Sequence, residues 1–199
     1  MKVIVVGATG TIGKAIVREL GSRHEIIEVG HTSGRHQVDI TDIESVRALF
    51  AAVGKADAIV SATGKLHFGP LPEMTSAQFQ IGLHDKLLGQ VHLALLAQHH
   101  LNDGGSITLT SGVLSDDPIR YGASASAVNA AVDGFVRGAA IELSRGLRIN
   151  AVSPTILRES LGAYGAYFIG FDAVPAERVA LAYARSVDGA QTGQIYKVW

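Results

Sequence analysis

Residues 3–13 read Val3-Ile4-Val5-Val6-Gly7-Ala8-Thr9-Gly10-Thr11-Ile12-Gly13. The first four form a short, continuous β-branched run, the pattern of a strand buried on both faces of a parallel sheet. Gly7 ends that run abruptly, and sequence with helical spacing comes next. Glycines at such a strand-to-helix turn permit a tight bend and a close approach of the main chain to a pyrophosphate, with the helix N-terminus facing the anion. The strand before and the helix after give the glycine triplet its meaning, because the triplet alone is a weak signal. A purely structural tight turn is the other reading of the same residues.

Apolar runs of the same kind recur at 25–29, 58–60, 107–110, 149–152 and 194–198, separated by helical segments. This alternation predicts βαβ units: an α/β fold, Rossmann-like and doubly wound, with about seven mainly parallel strands flanked by helices. Residues 1–199 are expected to form a single domain, with residues 3–6 as the first strand of the mature chain. Ile43, Val46, Phe50 and Val53 make a helical stripe, and Thr41 with Glu44 has the spacing of a capping box before it. Thr75 and Gln78 repeat the device before a long helix running to about residue 100, and a second long helix spans about 121–143. In such a sheet, ligands bind at the carboxyl ends of the strands.

Composition narrows the functions open to the chain. Its 199 residues are 47% hydrophobic and 18% charged, enough to bury one substantial core. Seventeen basic and 18 acidic residues are spread without blocks for a net charge of -1, so no electrostatic footprint for nucleic acid or an anionic membrane exists. The absence of cysteine excludes a disulfide scaffold, Cys-ligated metal and a thiol nucleophile. No apolar run approaches the roughly 18 residues of a membrane span, and the expected location is the cytoplasm. His84, His92, His99 and His100 lie along one helix without the paired spacing and third ligand of a zinc site, so no metal is expected.

Further segments then fall in order nearly end to end: Val38-Asp39-Ile40, Ser61-Ala62-Thr63-Gly64, Thr110-Ser111, Tyr121-Gly122-Ala123-Ser124-Ala125 and Arg148-Ile149-Asn150-Ala151-Val152-Ser153-Pro154. With the glycine turn, this set resembles the short-chain dehydrogenase/reductase family. The turn departs from the usual form, since Thr11 stands where the family commonly has its second glycine and Gly10 is added one place earlier. The resemblance implies that Gly7, Thr9, Gly10, Thr11, Ile12 and Gly13 form the cofactor turn. It implies further that Asp39 and the Ile40 main chain hold the adenine, and that Ala62, Thr63 and Gly64 lie along the adenine ribose. Pro154 and the Leu157 main chain would meet the nicotinamide carboxamide, with Thr155 replacing the usual glycine. Asp39 also reads as a strand-ending residue before Thr41.

An NAD-preferring fold places a carboxylate about 20 residues past the glycine turn. Here the region reads Gly30-His31-Thr32-Ser33-Gly34-Arg35, without one. His31, Ser33 and Arg35 suit a 2′-phosphate through charge-assisted hydrogen bonds, so NADP(H) is expected ahead of NAD. An ordinary solvated loop is the alternative.

The family's catalysis uses a serine, a tyrosine, a lysine four residues after the tyrosine, and an asparagine on the preceding long helix. Ser111 and Tyr121 match the first two, as carbonyl orienter and proton donor. They also read as a strand-end hydroxyl and a helix-start tyrosine. Ala125 occupies the lysine position, and Lys86 of Lys86-Leu87-Leu88-Gly89 occupies that of the asparagine. Lowering a tyrosine pKa from near 10 toward 7 takes about 4 kcal/mol, so a cation from elsewhere is required. Lys86 is expected to reach into the space left by Ala125, beside Tyr121 and the ribose. Reduction of a small carbonyl compound tolerates the missing lysine better than alcohol oxidation does, because a neutral tyrosine can donate its proton. Residues 161–168 combine glycines with aromatics where the family carries its mobile substrate loop. The Leu- and Ala-rich helix at 87–97 resembles the family's dimer faces, so a homodimer or homotetramer is expected. The rival reading is a catalytically inactive NADP(H)-binding sensor or scaffold.

Overall fold

Alternate residues of the first strand feed opposite cores. In the computed structural model, which describes residues 1–199, β1 (Lys2–Val6) sends Val3 and Val5 to one face of the sheet and Ile4 and Val6 to the other. The first pair packs with α1 (Thr11–Gly21) and α7 (Ala176–Asp188). The second packs with α2 (Ile43–Val53), α4 (Gly89–His100) and α5 (Ala123–Ala140). Burial on both faces is why the strand is apolar throughout rather than alternating.

The remaining strands are β2 (Glu25–Gly30), β3 (His36–Gln37), β4 (Ala56–Ser61), β5 (Leu101–Thr110), β6 (Arg148–Pro154) and β7 (Ile195–Val198). They form one seven-stranded sheet in the order β3-β2-β1-β4-β5-β6-β7, with every neighbouring pair parallel. The order reverses between β1 and β4, which opens a crevice at their carboxyl ends. The Ala62 N–H donates to the Val6 carbonyl there at 2.9 Å, carrying the chain across the mouth of the crevice.

Several boundaries differ from expectation for identifiable reasons. The cap of α2 is Asp42, whose carboxylate accepts from the Glu44 N–H at 2.9 Å. Thr41 instead gives its hydroxyl to Asp39 at 2.7 Å, so the Thr41–Glu44 capping box does not form. The Thr75–Gln78 box does form and starts α3 (Ser76–Gly82). The long helix after it is not uniformly α: Leu83–Leu88 is a π-helical turn between α3 and α4, in which the Gly89 N–H reaches back to the His84 carbonyl. β5 starts earlier than expected, through an irregular stretch whose pairing with β4 shifts register between Ala56 and Ala58. α5 starts later, because Tyr121 has φ +66° and cannot be part of a right-handed helix.

Gly13 carries the tightest approach in the fold. A Cβ there would lie 1.9 Å from the Gly7 carbonyl oxygen, a main-chain atom that cannot give way. Gly134, in α5, has nothing within 4 Å of the same position. Gly13→Ala is expected to lower stability by about 3 kcal/mol or more through overpacking, whereas Gly134→Ala raises it by up to about 1 kcal/mol through helix propensity. Urea unfolding of the two variants measures both signs.

Candidate active site

Two compartments meet at the carboxyl end of the sheet, joined along Ala62, Thr63, Gly64 and Lys65. The first, about 270 Å³, is bounded by Gly7, Thr9, Gly10, His31, Asp39 and Ile40, with Asp85 opposite. Gly7 sits at φ +84°, and the helix after it begins with Gly10 as its cap, with no side-chain cap and no acidic residue in its first turn. The N–H groups at the start of that helix therefore have no side-chain cap and no carboxylate in their own turn, an arrangement that can receive an anion, although Asp39 and Asp85 also border the compartment.

The second compartment, about 440 Å³, brings together Ile12, Lys86, Ser111, Pro154, Thr155 and Leu157 beneath Phe68, Tyr164 and Phe168. Ser111 ends β5's run toward the cleft and is 1% exposed, yet its hydroxyl has no hydrogen-bond partner within the chain. The Thr155 hydroxyl is likewise buried and unpartnered. A buried polar atom left unsatisfied costs about 1–3 kcal/mol, so these two hydroxyls, which line the compartment, are free to pair with a polar ligand there. Together with the open helix terminus and the glycine cradle, they fit a dinucleotide lying across both compartments.

Most residues singled out in the sequence line this cleft, and the exceptions are informative. Gly13 and Thr11 do not line it: Gly13 packs the turn against its helix, and Thr11 is the first residue of α1. His31 reaches the cleft, but Ser33 and Arg35 do not. Ser33 folds back over Gly30, and Arg35 borders a separate surface with Ile26, Ile27 and Glu28. Asp39 lines the cleft and does not end a strand before a Thr41 cap, since β3 stops at Gln37 and Asp42 is the cap; hydrogen bonds from Thr41 hold its carboxyl below the usual carboxylate range. The Ile40 carbonyl is 3.0 Å from His92 Nδ1.

Lys86 is 7% exposed, and its ammonium donates to the main-chain carbonyl of Ser111 at 2.8 Å. Burial pulls its pKa down to about 8, opposed by the Asp133 carboxylate. The expected contact of Lys86 with Tyr121 is thus replaced by one with Ser111. Ala125 is fully buried among Val113 and Leu114, so the lysine position of the family is filled with packing. Tyr121, singled out as proton donor, does not line either compartment; it is 41% exposed, with its ring edge-on to Tyr167 at 6.4 Å. Phe68 lies 6.0 Å from both Tyr164, at the end of α6 (Leu161–Tyr164), and Tyr167, so the 161–168 segment closes the mouth with aromatic contacts.

Three features have no reading in the sequence alone. The long helix carries a π turn at Leu83–Leu88, and its successive residues Asp85 and Lys86 border the two compartments. Gly64, at φ +122°, admits Lys86: a Cβ on Gly64 would lie 2.4 Å from Lys86 Cγ. Gln90, fully buried, clamps the end of β5, accepting from the Thr110 N–H at 2.7 Å and donating to the Thr110 carbonyl at 2.8 Å. Gly89, just after the turn, lets Ile40 pack closely: a Cβ there would lie 2.6 Å from the Ile40 side chain.

Comparison with known proteins agrees with this geometry. A family model described as enoyl-(acyl carrier protein) reductase matches residues 7–188. Hydroxynaphthalene reductase arp2 of Aspergillus fumigatus is 26% identical over 182 residues, 79% of this chain and 67% of that protein. The hydroxynaphthalene reductase-like protein Arp2 of Metarhizium brunneum is 30% identical over 176 residues, 76% of this chain and 66% of that one. The chain thus spans about two thirds of the length of the curated relatives it matches. Among solved structures, the protein lin1944 from Listeria innocua is similar with a TM-score of 0.98 at 48% identity, covering 100% of both chains. A small-chain dehydrogenase in complex with NADPH gives a TM-score of 0.89 at 26% identity, covering 100% of this chain and 96% of that one. The chain belongs to the short-chain dehydrogenase/reductase family of nicotinamide-dependent oxidoreductases. No helix is long and apolar enough to cross a membrane.

The lowered pKa of Lys86 has a definite sign in stability. The unfolded chain keeps that proton to about 10.5 and the folded chain only to about 8, so between these values the unfolded state binds more protons and stability rises with pH. Lys86→Met is expected to lose this increment, on the order of a few kcal/mol between pH 8 and 10.5. Urea midpoints of the two proteins at pH 7.5 and pH 10 check it.

Proposed function

We propose that the protein is an NADP(H)-dependent reductase of a small carbonyl compound. The observation that carries this reading is the buried, unpartnered Ser111 hydroxyl in a compartment continuous with the glycine turn. In the bound state the nicotinamide supplies the hydride. The Ser111 hydroxyl donates to the substrate carbonyl oxygen and orients it. Tyr121 delivers a proton to the developing alkoxide. Lys86 holds a positive charge against the Ser111 main chain and steadies the end of β5. Phe68, Tyr164 and Phe168 exclude water from the compartment and favour an apolar, flat substrate, and none of its lining residues is acidic.

NADP(H) rather than NAD(H) is supported by His31, which comes just after β2 where an NAD-preferring fold places a carboxylate. Lys65 adds a cation beside the same compartment. The neighbouring structure with NADPH is consistent with this choice. A second reading, a nucleotide-responsive protein without turnover, is favoured by one observation. Ala125, sealed in apolar packing, leaves α5 without a cation one turn beyond Tyr121.

Fluorescence titration with NADPH and NADH, followed by a carbonyl panel monitoring NADPH loss, separates the readings. NADPH is expected to bind more tightly than NADH. Tyr121→Phe is expected to reduce turnover by about 10² or more with NADPH affinity retained, and Ser111→Ala to act in the same direction. Tyrosine-independent turnover removes the role given to Tyr121, binding without turnover favours the second reading, and no binding of either nucleotide ends both.

A further inference from the structure

Lys86 is the only buried cation of the fold, 7% exposed, and it lines the compartment that holds Ser111. An ammonium carries three donors, yet this one makes a single hydrogen bond, to the Ser111 carbonyl at 2.8 Å. No ion pair of the chain involves it. No residue lining the compartment is acidic. Asp85, next to Lys86 in the chain, borders the other compartment and accepts from the Lys65 N–H at 2.7 Å. Two donors of a nearly dry cation are therefore unspent in a compartment whose Ser111 and Thr155 hydroxyls are unpartnered as well.

A charge held away from water is costly unless an opposite charge meets it. A dinucleotide across the cleft does not supply that charge here. Its pyrophosphate suits the helix start in the first compartment, its ribose hydroxyls are neutral, and its nicotinamide ring is neutral when reduced and cationic when oxidised. The remaining ligand of the compartment is the substrate. Its anionic group has to be ionised near neutral pH, which a carboxylate is and an ordinary phenol is not. One ammonium, with no second buried cation beside it, matches one negative charge.

The same residue fixes where that charge lies relative to the reacting carbonyl. Lys86 Nζ touches the Ser111 carbonyl oxygen, and the Ser111 hydroxyl belongs to the same amino acid, so Nζ and Oγ are within about 7 Å of each other. A ligand that meets both carries its carboxylate close to its carbonyl. Phe68, Tyr164 and Phe168 cover the rest of it with apolar surface.

We propose that the substrate is an oxo acid with an apolar body, its carboxylate paired with the Lys86 ammonium while its neighbouring carbonyl takes the Ser111 hydroxyl. This deepens, and for turnover rests on, the proposed reductase reading. The carbonyl carbon receives the hydride of NADPH and its oxygen a proton, giving the hydroxy acid and NADP+, and the carboxylate is unchanged. Lys86 is thereby a residue that selects the substrate by charge.

Phenylglyoxylate, phenylpyruvate and acetoacetate, each beside its methyl ester, are compared at pH 7 with the full chain, Lys86→Met and Lys65→Ala. NADPH consumption gives kcat/KM, and calorimetry gives binding with and without NADP+. At least one acid is expected to exceed its ester by about tenfold or more in both readouts, the scale of a charge-assisted hydrogen bond, and in Lys86→Met that ratio is expected to fall to about one. If Lys86→Met does not fold, the ratio in the unaltered protein still decides. Esters used as well as the acids, or no binding of any acid, overturn the proposal, and turnover of the esters then leaves the reductase reading standing. A preference that Lys65→Ala abolishes and Lys86→Met keeps overturns the role of Lys86. Acids that bind in preference to their esters without turnover keep the carboxylate site and count against the reductase reading.

Discussion

An ammonium group almost sealed from water, donating to a main-chain carbonyl at the end of β5, is the constraint to which the rest of the site conforms. The fold bends a long helix into a π turn to bring Lys86 inward, and it leaves Gly64 without a side chain to make room for the lysine stem. Gln90, one turn later, takes the Thr110 N–H and carbonyl that lie just before Ser111. The segment after Ser111 is tied down as well. Asp116 accepts from Lys197 of β7 at 2.7 Å, a contact that holds its carboxyl below the usual carboxylate range. Both ends of the Ser111 segment are therefore anchored by side chains from distant parts of the chain, which fixes where its unpartnered hydroxyl points.

The cleft arises from the same sheet. Reversal of strand order between β1 and β4 opens the crevice, and the chain crosses its mouth at Ala62–Lys65, where the two compartments join. One side presents main-chain donors at a helix start, suited to charge that is diffuse and negative. The other presents buried hydroxyls beneath aromatic rings, suited to a polar head on an apolar body. Around Ser111 the buried cation and the small side chain at 125 come from different elements. The helix that begins just after Tyr121 offers methyl packing at Ala125, and the opposing π turn offers the charge of Lys86.

The strand and helix order, the parallel sheet and the glycine turn are legible in the sequence, because each is set by local periodicity or by residues adjacent in the chain. The Thr75–Gln78 cap is legible for the same reason. The Thr41–Glu44 spacing misleads because Asp42, a competing cap one residue later, already satisfies the Glu44 N–H, and Asp39 draws the Thr41 hydroxyl away. Arg35, expected at the cofactor, lies elsewhere, since the direction of a loop side chain depends on how the loop folds back over Gly30, not on its distance along the chain. The π turn at Leu83–Leu88 is not legible, because helix sequence patterns do not distinguish it from a regular turn.

The sequence by itself therefore determined the α/β framework, the glycine turn at 7–13 and the candidate roles of Ser111, Tyr121 and Lys86. Only the tertiary structure decided the partner of each. Lys86 meets the Ser111 carbonyl, and Tyr121 meets Tyr167. The physical reason is that periodicity and turn chemistry act between near neighbours in the chain, whereas the burial of a charge is resolved only when segments 20 to 50 residues apart pack together and exclude water from between them.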